Sequence, residues 1–246
     1  KYNQQVAGDA FMSQQVMAEN RIISVLSDGL GSGIKASVLA TLTSAMAKNF
    51  VARNVDVKKT AEIIMRTLPV CKVRKISYST FTIVDIEADH RVKIIEYGNP
   101  QFLLVRGGKV KDSDEIIEKV SLGEYKTDSL NYYSFQLEKN DRIIYFSDGI
   151  TQSGMGTKNY PFGWTRQGVV NFTENKIYEN PFVSASELSR NIVLRAKTND
   201  NYKCKDDTTC GVIYSRSPRR TLVATGPPYD KNKDSEMARL VSDFEG

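Results

Sequence analysis

The chain has 246 residues, 40% of them hydrophobic, with 34 Lys and Arg against 29 Asp and Glu, for a formal net charge of +5. That composition suits a chain able to bury a core, long enough for one large domain or two small ones. The basic residues are scattered and do not form a stripe interleaved with aromatics, which argues against nucleic-acid binding; no apolar run reaches the length of a membrane span, and no signal peptide is visible.

The chain starts at Lys1 and not at Met, so a longer parent protein is expected. Its three cysteines, Cys71, Cys204 and Cys210, show no C-x-x-C spacing. An odd, sparse count suits a reducing, cytoplasmic compartment and structural thiols. The single histidine, His90, would have to serve any Ser-His-Asp or Cys-His mechanism. It stands in EADHRVKI, which reads as a hairpin turn, so a solvated turn residue is the expectation there.

In chain order, VAGDAFM places Asp9 after a short apolar start. Residues 20–26 read as a strand that runs into SDGLGSG, residues 27–33. An aspartate at a strand end followed by three glycines in five residues admits three readings. The glycines could cradle a phosphate at a helix start, although the Gly-Lys-Ser/Thr of a P-loop is missing. The aspartate could ligate a metal that the glycines let approach. Or the segment could be a plain strand–turn–helix connection. From Ile34 to about Val51 the spacing predicts a helix, with Val38, Leu42, Ala45 and Met46 on its apolar face. A second helix is predicted after Asp56 as N-cap, with Val57, Ala61, Ile64 and Leu68 on one face and Pro69 ending it.

The period then changes to two. STFTIVDIEA, RVKIIEYG and FLLVRGGKV read as strands, with turns at Gly98-Asn99-Pro100 and Gly107-Gly108. YYSFQLEKNDRIIYFSDGI holds two more around a turn at Lys139-Asn140-Asp141, residues 184–197 read as an amphipathic helix, and TTCGVIYSR as a strand. TLVATGPPYD adds a strand and turn, and Met237, Leu240, Val241 and Phe244 a helical stripe. Helices and antiparallel strands in this order predict an α+β fold, an antiparallel β-sandwich flanked by helices.

Four acidic positions recur where strands meet loops: Asp9, Asp28, Asp148 in SDGI, and the pair Asp206-Asp207 before the strand that contains Cys210. A single such aspartate is ordinary turn chemistry; a convergent group is not, because buried like charges would protonate unless cations balance them. Oxygen-only ligands select Mg²⁺ or Mn²⁺ over Zn²⁺. Two such ions can activate water against a phosphorus atom, which suits phosphate-ester hydrolysis.

The segments GD, DGLGSG, SDGI and DDTT, in that order, together with YGNPQFLLVRGGKV, resemble the protein phosphatase 2C (PPM) superfamily in its SpoIIE-type branch, over roughly residues 5–215. The resemblance implies a two-metal serine/threonine phosphatase. Asp28 would bridge both ions, Asp148 and Asp206 would complete one site, and Asp9 and the Gly29 carbonyl the other. Asp207 stands beside a ligand position and could exchange roles with Asp206. Asp28 and Asp148 are then the catalytic candidates. Leu30 departs from relatives outside this branch, which carry a histidine there as general acid; a modest intrinsic rate and dependence on a regulator are implied.

The substrate implied is a phosphorylated regulatory protein, such as an anti-sigma-antagonist-like partner. An upstream segment of the same full-length chain is expected to act on the helix pair carrying Ile34, Val38, Leu42, Ala61 and Ile64, since a shift of that pair would move the Gly29 carbonyl. A homodimer is left open. Residues 1–217 are assigned to the phosphatase domain and 218–246 to the start of a further α/β element. Two other classes compete: a regulatory binding module with a vestigial phosphatase site, and a nucleotide-binding protein using the glycine turn.

Overall fold

The computed structural model describes residues 6–31, 33–68, 79–111, 117–125 and 128–216, and the backbone of two further strands. In chain order the elements are β1 (Asp9–Val16), β2 (Arg21–Gly29), α1 (Ile34–Ala52), α2 (Val57–Thr67), β3 (Ser79–Ile86), β4 (Arg91–Tyr97), β5 (Leu103–Arg106), β6 (Lys109–Lys111), β7 (Glu118–Tyr125), β8 (Asp128–Gln136), β9 (Arg142–Phe146), α3 (Asp148–Thr151), α4 (Thr165–Glu179), α5 (Ala185–Asn199), β10 (Cys210–Ser215), β11 (Arg220–Thr225) and β12 (Ala238–Asp243). The fold is α+β, with two antiparallel six-stranded sheets, and the chain divides into two compact units. Pro69 and Cys71 lie outside the described residues.

One unit comprises Gly8–Asn99 and Ser113–Leu137. Its sheet has the order β1-β2-β3-β4-β8-β7. Its core gathers Ile23, Val25, Phe81, Ile83 and Ile95 from the sheet with Ala47, Val51, Ala61 and Ile64 from the helices. Strand β2 runs further than the residues 20–26 expected, so Asp28 lies inside a strand paired on both sides. Helix α2 forms as expected: the Asp56 side chain accepts from the N–H groups of Lys58 at 2.9 Å and Lys59 at 3.2 Å, satisfying two otherwise orphaned donors.

Helix α1 has the expected bounds but the opposite face inward. Ile34, Val38 and Leu42 are 73%, 57% and 46% exposed, whereas Ala36, Ala40, Thr43, Ser44, Ala47 and Val51 are buried. The reason is clearance. A side chain added at Gly29 of β2 would put its Cβ 2.1 Å from the Ala36 carbonyl oxygen, so helix and strand touch backbone to backbone and only small residues fit between them.

The far end of β2 is fixed by charge. The Arg21 guanidinium donates to both oxygens of buried Asp85, each at 2.7 Å, and its Nη1 to Asn54 just beyond α1 at 2.6 Å. The bidentate bond to Asp85 raises the Arg21 pKa despite the opposing effect of burial. Removing Asp85 leaves the buried guanidinium the longer contact to the more exposed Glu19, at 3.4 Å, in place of the bidentate pair. Asp85→Ala is therefore expected to cost about 3–5 kcal/mol in denaturant-unfolding free energy, and replacing both residues by apolar ones of similar volume should recover most of that. His90 is the exposed turn residue anticipated, at φ 67° between β3 and β4, where it serves the hairpin.

The other unit comprises Lys1–Ala7, Pro100–Asp112 and Glu138–Gly246. Its sheet has the order β12-β11-β10-β9-β5-β6, with α5 packed on β10 and β11. Leu103, Ile144, Phe146, Leu188, Ile192 and Val212 are central to its core. Gly107 and Gly108, both at positive φ (61° and 78°), make the tight β5–β6 turn. Where the spacing of Met237, Leu240, Val241 and Phe244 predicts a helical stripe, Ala238–Asp243 is a strand, paired antiparallel with β11 from Thr225↔Ala238 to Thr221↔Asp243. Two turns of apolar spacing also fit a short strand, and an isolated two-turn helix is too short to hold itself.

Candidate metal centre

Asp9 and Asp28 are direct cross-strand partners on β1 and β2. Residues so paired have Cβ atoms about 4.5–5.5 Å apart on one face, and like charges there oppose each other. The sequence thus places two carboxylates where the sheet itself brings them together. The next residue, Gly29, donates its N–H to the Gly8 carbonyl at 3.1 Å. Gly31 and Gly33 follow at φ 99° and 78°, the left-handed region in which glycine turns the chain into α1.

The second acidic set sits in the other unit. Asp148 opens the single turn α3 directly after β9. Its Oδ2 accepts from Gln152 Nε2 at 2.8 Å, a contact one helical turn away that the sequence reading did not anticipate. Ser147 ties this turn to the segment before β10: its N–H donates to the Thr209 carbonyl at 3.0 Å, and its hydroxyl accepts from the Thr209 N–H at 3.1 Å. Gly149 lies so close to that segment that an added Cβ would stand 1.9 Å from the Asp207 carbonyl oxygen and 3.4 Å from Asp206 Cβ. The backbone that carries Asp206 and Asp207 is thus packed against the turn that carries Asp148. Asp206 is half-buried and spends one oxygen on the Asp207 N–H at 3.0 Å, and Asp207 is buried.

Each unit thus brings its own acidic residues together. Among the described residues no group of three or more His, Cys, Asp or Glu forms a preassembled metal cage. The donor set fits magnesium or manganese: every candidate side chain offers oxygen, and Gly29 offers a carbonyl. A thiol site is disfavoured on physical grounds. Cys210 is fully buried, and loss of solvation pushes its thiol up to about 12, so it stays protonated and unreactive. Its folded value lies above the ordinary 9.0, so the stability it contributes is complete below about pH 9 and is lost as pH rises from there towards about 12. A thiol reagent at neutral pH should leave Cys210 unmodified in the native protein and react with it once urea unfolds the chain.

Among the described residues no helix is long and apolar enough to cross a membrane. The family model described as Stage II sporulation protein E (SpoIIE) matches residues 18–215. No curated protein sequence matches the chain. Among solved structures, the PP2C phosphatase domain with a fragment of the regulatory domain of the cell fate determinant SpoIIE from Bacillus subtilis is similar with a TM-score of 0.65 at 19% identity, covering 88% of this chain and 60% of that one. The RsbU and RsbW domains of a Mycobacterium tuberculosis protein give 0.64 at 15% identity, over 87% of this chain and 58% of that one. RsbX in complex with magnesium gives 0.58 at 17% identity, over 85% and 87%. The chain thus spans about 60% of the length of the first two structures it resembles. With two antiparallel sheets, helices in each unit and a family match from residue 18 to residue 215, the chain belongs to the SpoIIE family and has the fold of PP2C-type phosphatases.

Proposed function

We propose that the chain is a Mg²⁺- or Mn²⁺-dependent serine/threonine phosphoprotein phosphatase acting in the cytoplasm on a phosphorylated regulatory protein. The observation that carries this reading is the direct pairing of Asp9 with Asp28 across β1 and β2, in a chain of this family. The ligand roles proposed are those of the family pattern: Asp9, Asp28 and the Gly29 carbonyl from one acidic set, Asp148, Asp206 and Asp207 from the other. Divalent ions there would supply Lewis-acid activation of water and neutralise charge on the phosphoryl group. The chain's own part is to hold oxygen donors rigidly. The β1–β2 ladder sets the spacing of Asp9 and Asp28, Gln152 fixes one oxygen of Asp148, and the Ser147–Thr209 exchange holds the turn carrying it. Leu30 offers no proton to a leaving group, which supports a modest rate.

The substrate class has its support in the company relatives keep: one solved neighbour joins an RsbU to an RsbW domain, and another includes a regulatory fragment. Regulation through the helix pair is part of the same proposal. Ala61 and Ile64 are buried where α2 packs, and Ile34, Val38 and Leu42 line the exposed face of α1 that an upstream segment would contact. Hydrolysis of p-nitrophenyl phosphate by the purified chain tests the reading. Turnover that appears with Mn²⁺ and vanishes with EDTA is expected; no turnover at saturating Mn²⁺ would favour the binding-module alternative.

A further inference from the structure

Asp28 and Gly29 share one peptide unit, and that unit is tied at both ends. Its N–H donates to the Gly8 carbonyl at 3.1 Å. Its carbonyl, that of Asp28, accepts from the Ser79 hydroxyl at 3.0 Å. Ser79 opens β3 directly opposite Gly29 and is fully buried, as is Ser27 on β2. This peptide joins the Cα from which the Asp28 side chain leaves the strand to the Cα that carries the Gly29 carbonyl. Lateral escape is closed, because Gly29 already touches the backbone of Ala36.

The two serines share their protons in one of two ways. Their oxygens are 2.6 Å apart, so a proton lies between them. Ser27 also reaches the Thr80 carbonyl at 2.8 Å, and Ser79 reaches the same carbonyl at 3.3 Å. Two arrangements keep a proton between the hydroxyls and use the shorter of these remaining bonds. In one, Ser27 donates to Ser79, and Ser79 donates to the Asp28 carbonyl. In the other, Ser79 donates to Ser27, and Ser27 donates to Thr80. Only the first adds a side-chain donor to the Asp28 carbonyl, beside the ladder in which Asp28 faces Thr80. β3 itself is braced beside this point, since Asn99 bonds the hydroxyls of Thr80 at 2.6 Å and Thr82 at 3.0 Å.

We infer that Ser79 is a positioning residue for the divalent-ion site: its buried hydroxyl fixes the Asp28–Gly29 peptide and so the presentation of the Asp28 carboxylate and the Gly29 carbonyl. Ser27 is the alternative partner for that proton. The inference rests on the metal-dependent reading above and adds a residue that lies outside the acidic set.

The test is Mn²⁺ affinity, measured directly by the electron paramagnetic resonance signal of free Mn²⁺ over the 246-residue chain. Ser79→Ala is expected to weaken binding about tenfold or more, the scale of lost outer partners at metal sites. Ser79→Cys fills the same space with a poor donor and should show the same loss; it also carries the test if the alanine variant does not fold. Ser27→Ala deletes the same atom from an equally buried position but leaves Ser79 free to donate to Asp28, so about threefold or less is expected. Equal losses in Ser79→Ala and Ser27→Ala, or parental affinity in Ser79→Cys, would overturn the inference in favour of simple packing. Asp28→Asn separates the two levels: if it leaves Mn²⁺ binding unchanged, the metal reading itself fails, whatever the serine variants do.

Discussion

Asp28→Asn is expected to reduce Mn²⁺-stimulated phosphate-ester hydrolysis by about a hundredfold or more while the protein still unfolds cooperatively. Loss of an outer partner alone costs about 10–100-fold at metal sites, and a direct ligand contributes at least as much. The stability effect should run the other way. Asp28 stands directly opposite Asp9, so in the metal-free protein the neutral amide relieves a like-charge pair. The variant should be as stable as the parent in EDTA, or more stable by up to about 1 kcal/mol. Asp148→Asn should cause a similar loss of turnover. It keeps its backbone place at the head of α3 but replaces the charged acceptor of the Gln152 bond. Phosphatase assays beside urea titrations in EDTA check both. Turnover within a few-fold of the parent would remove that aspartate from the proposed ligands, and collapse of the fold would mean that its role is structural.

Gly149→Ala and Gly29→Ala should both be strongly destabilising. At Gly149 the new methyl would lie 1.9 Å from the Asp207 carbonyl oxygen, and at Gly29 2.1 Å from that of Ala36. In both cases the obstacle is backbone, which cannot rotate aside like a side chain. Backbone must therefore shift, separating α3 from the Asp206–Asp207 segment in one variant and α1 from β2 in the other. A loss of about 3 kcal/mol or more is expected for each, at the upper end of overpacking costs. Gly31→Ala is the control: nothing lies within 4 Å of its Cβ position, and only the φ of +99° opposes it, so about 1–2 kcal/mol should suffice. Denaturant midpoints of the three variants test the ranking. A Gly31 variant as damaged as the other two would mean that turn conformation outweighs contact.

Which parts of this were legible in the sequence follows from the range of the forces involved. Helix α2 could be read because its N-cap and apolar face are local features, and Asp56 with Val57, Ala61 and Ile64 behaves accordingly. The acidic residues at strand ends could be read for the same reason. That Asp9 faces Asp28 could not, because strand register depends on a partner absent from the local pattern. Strand β1 itself went unread: DAFMSQQV is half polar, as befits a strand at the end of its sheet with no residue fully buried. Helix α4 was missed because its inward residues, Val169, Val170, Thr173 and Ile177, make a weak stripe broken by Gly168, whose bare Cα lets the Trp164 ring pack against it. The face of α1 was misjudged because hydrophobicity marks burial only where there is room; against Gly29 there is room for alanine and serine, and the larger Ile34, Val38 and Leu42 turn outward.

The central claim is that the two acidic sets hold divalent ions required for phosphate-ester hydrolysis. The most direct measurement titrates Mn²⁺ into the metal-stripped chain and follows bound ion and release of phosphate from a phosphoserine peptide in the same samples. The account predicts about two ions per chain at saturation, turnover that rises with their binding, and loss of both on adding EDTA. Phosphate release that persists in EDTA, or saturable Mn²⁺ binding with no release at any occupancy, would contradict it.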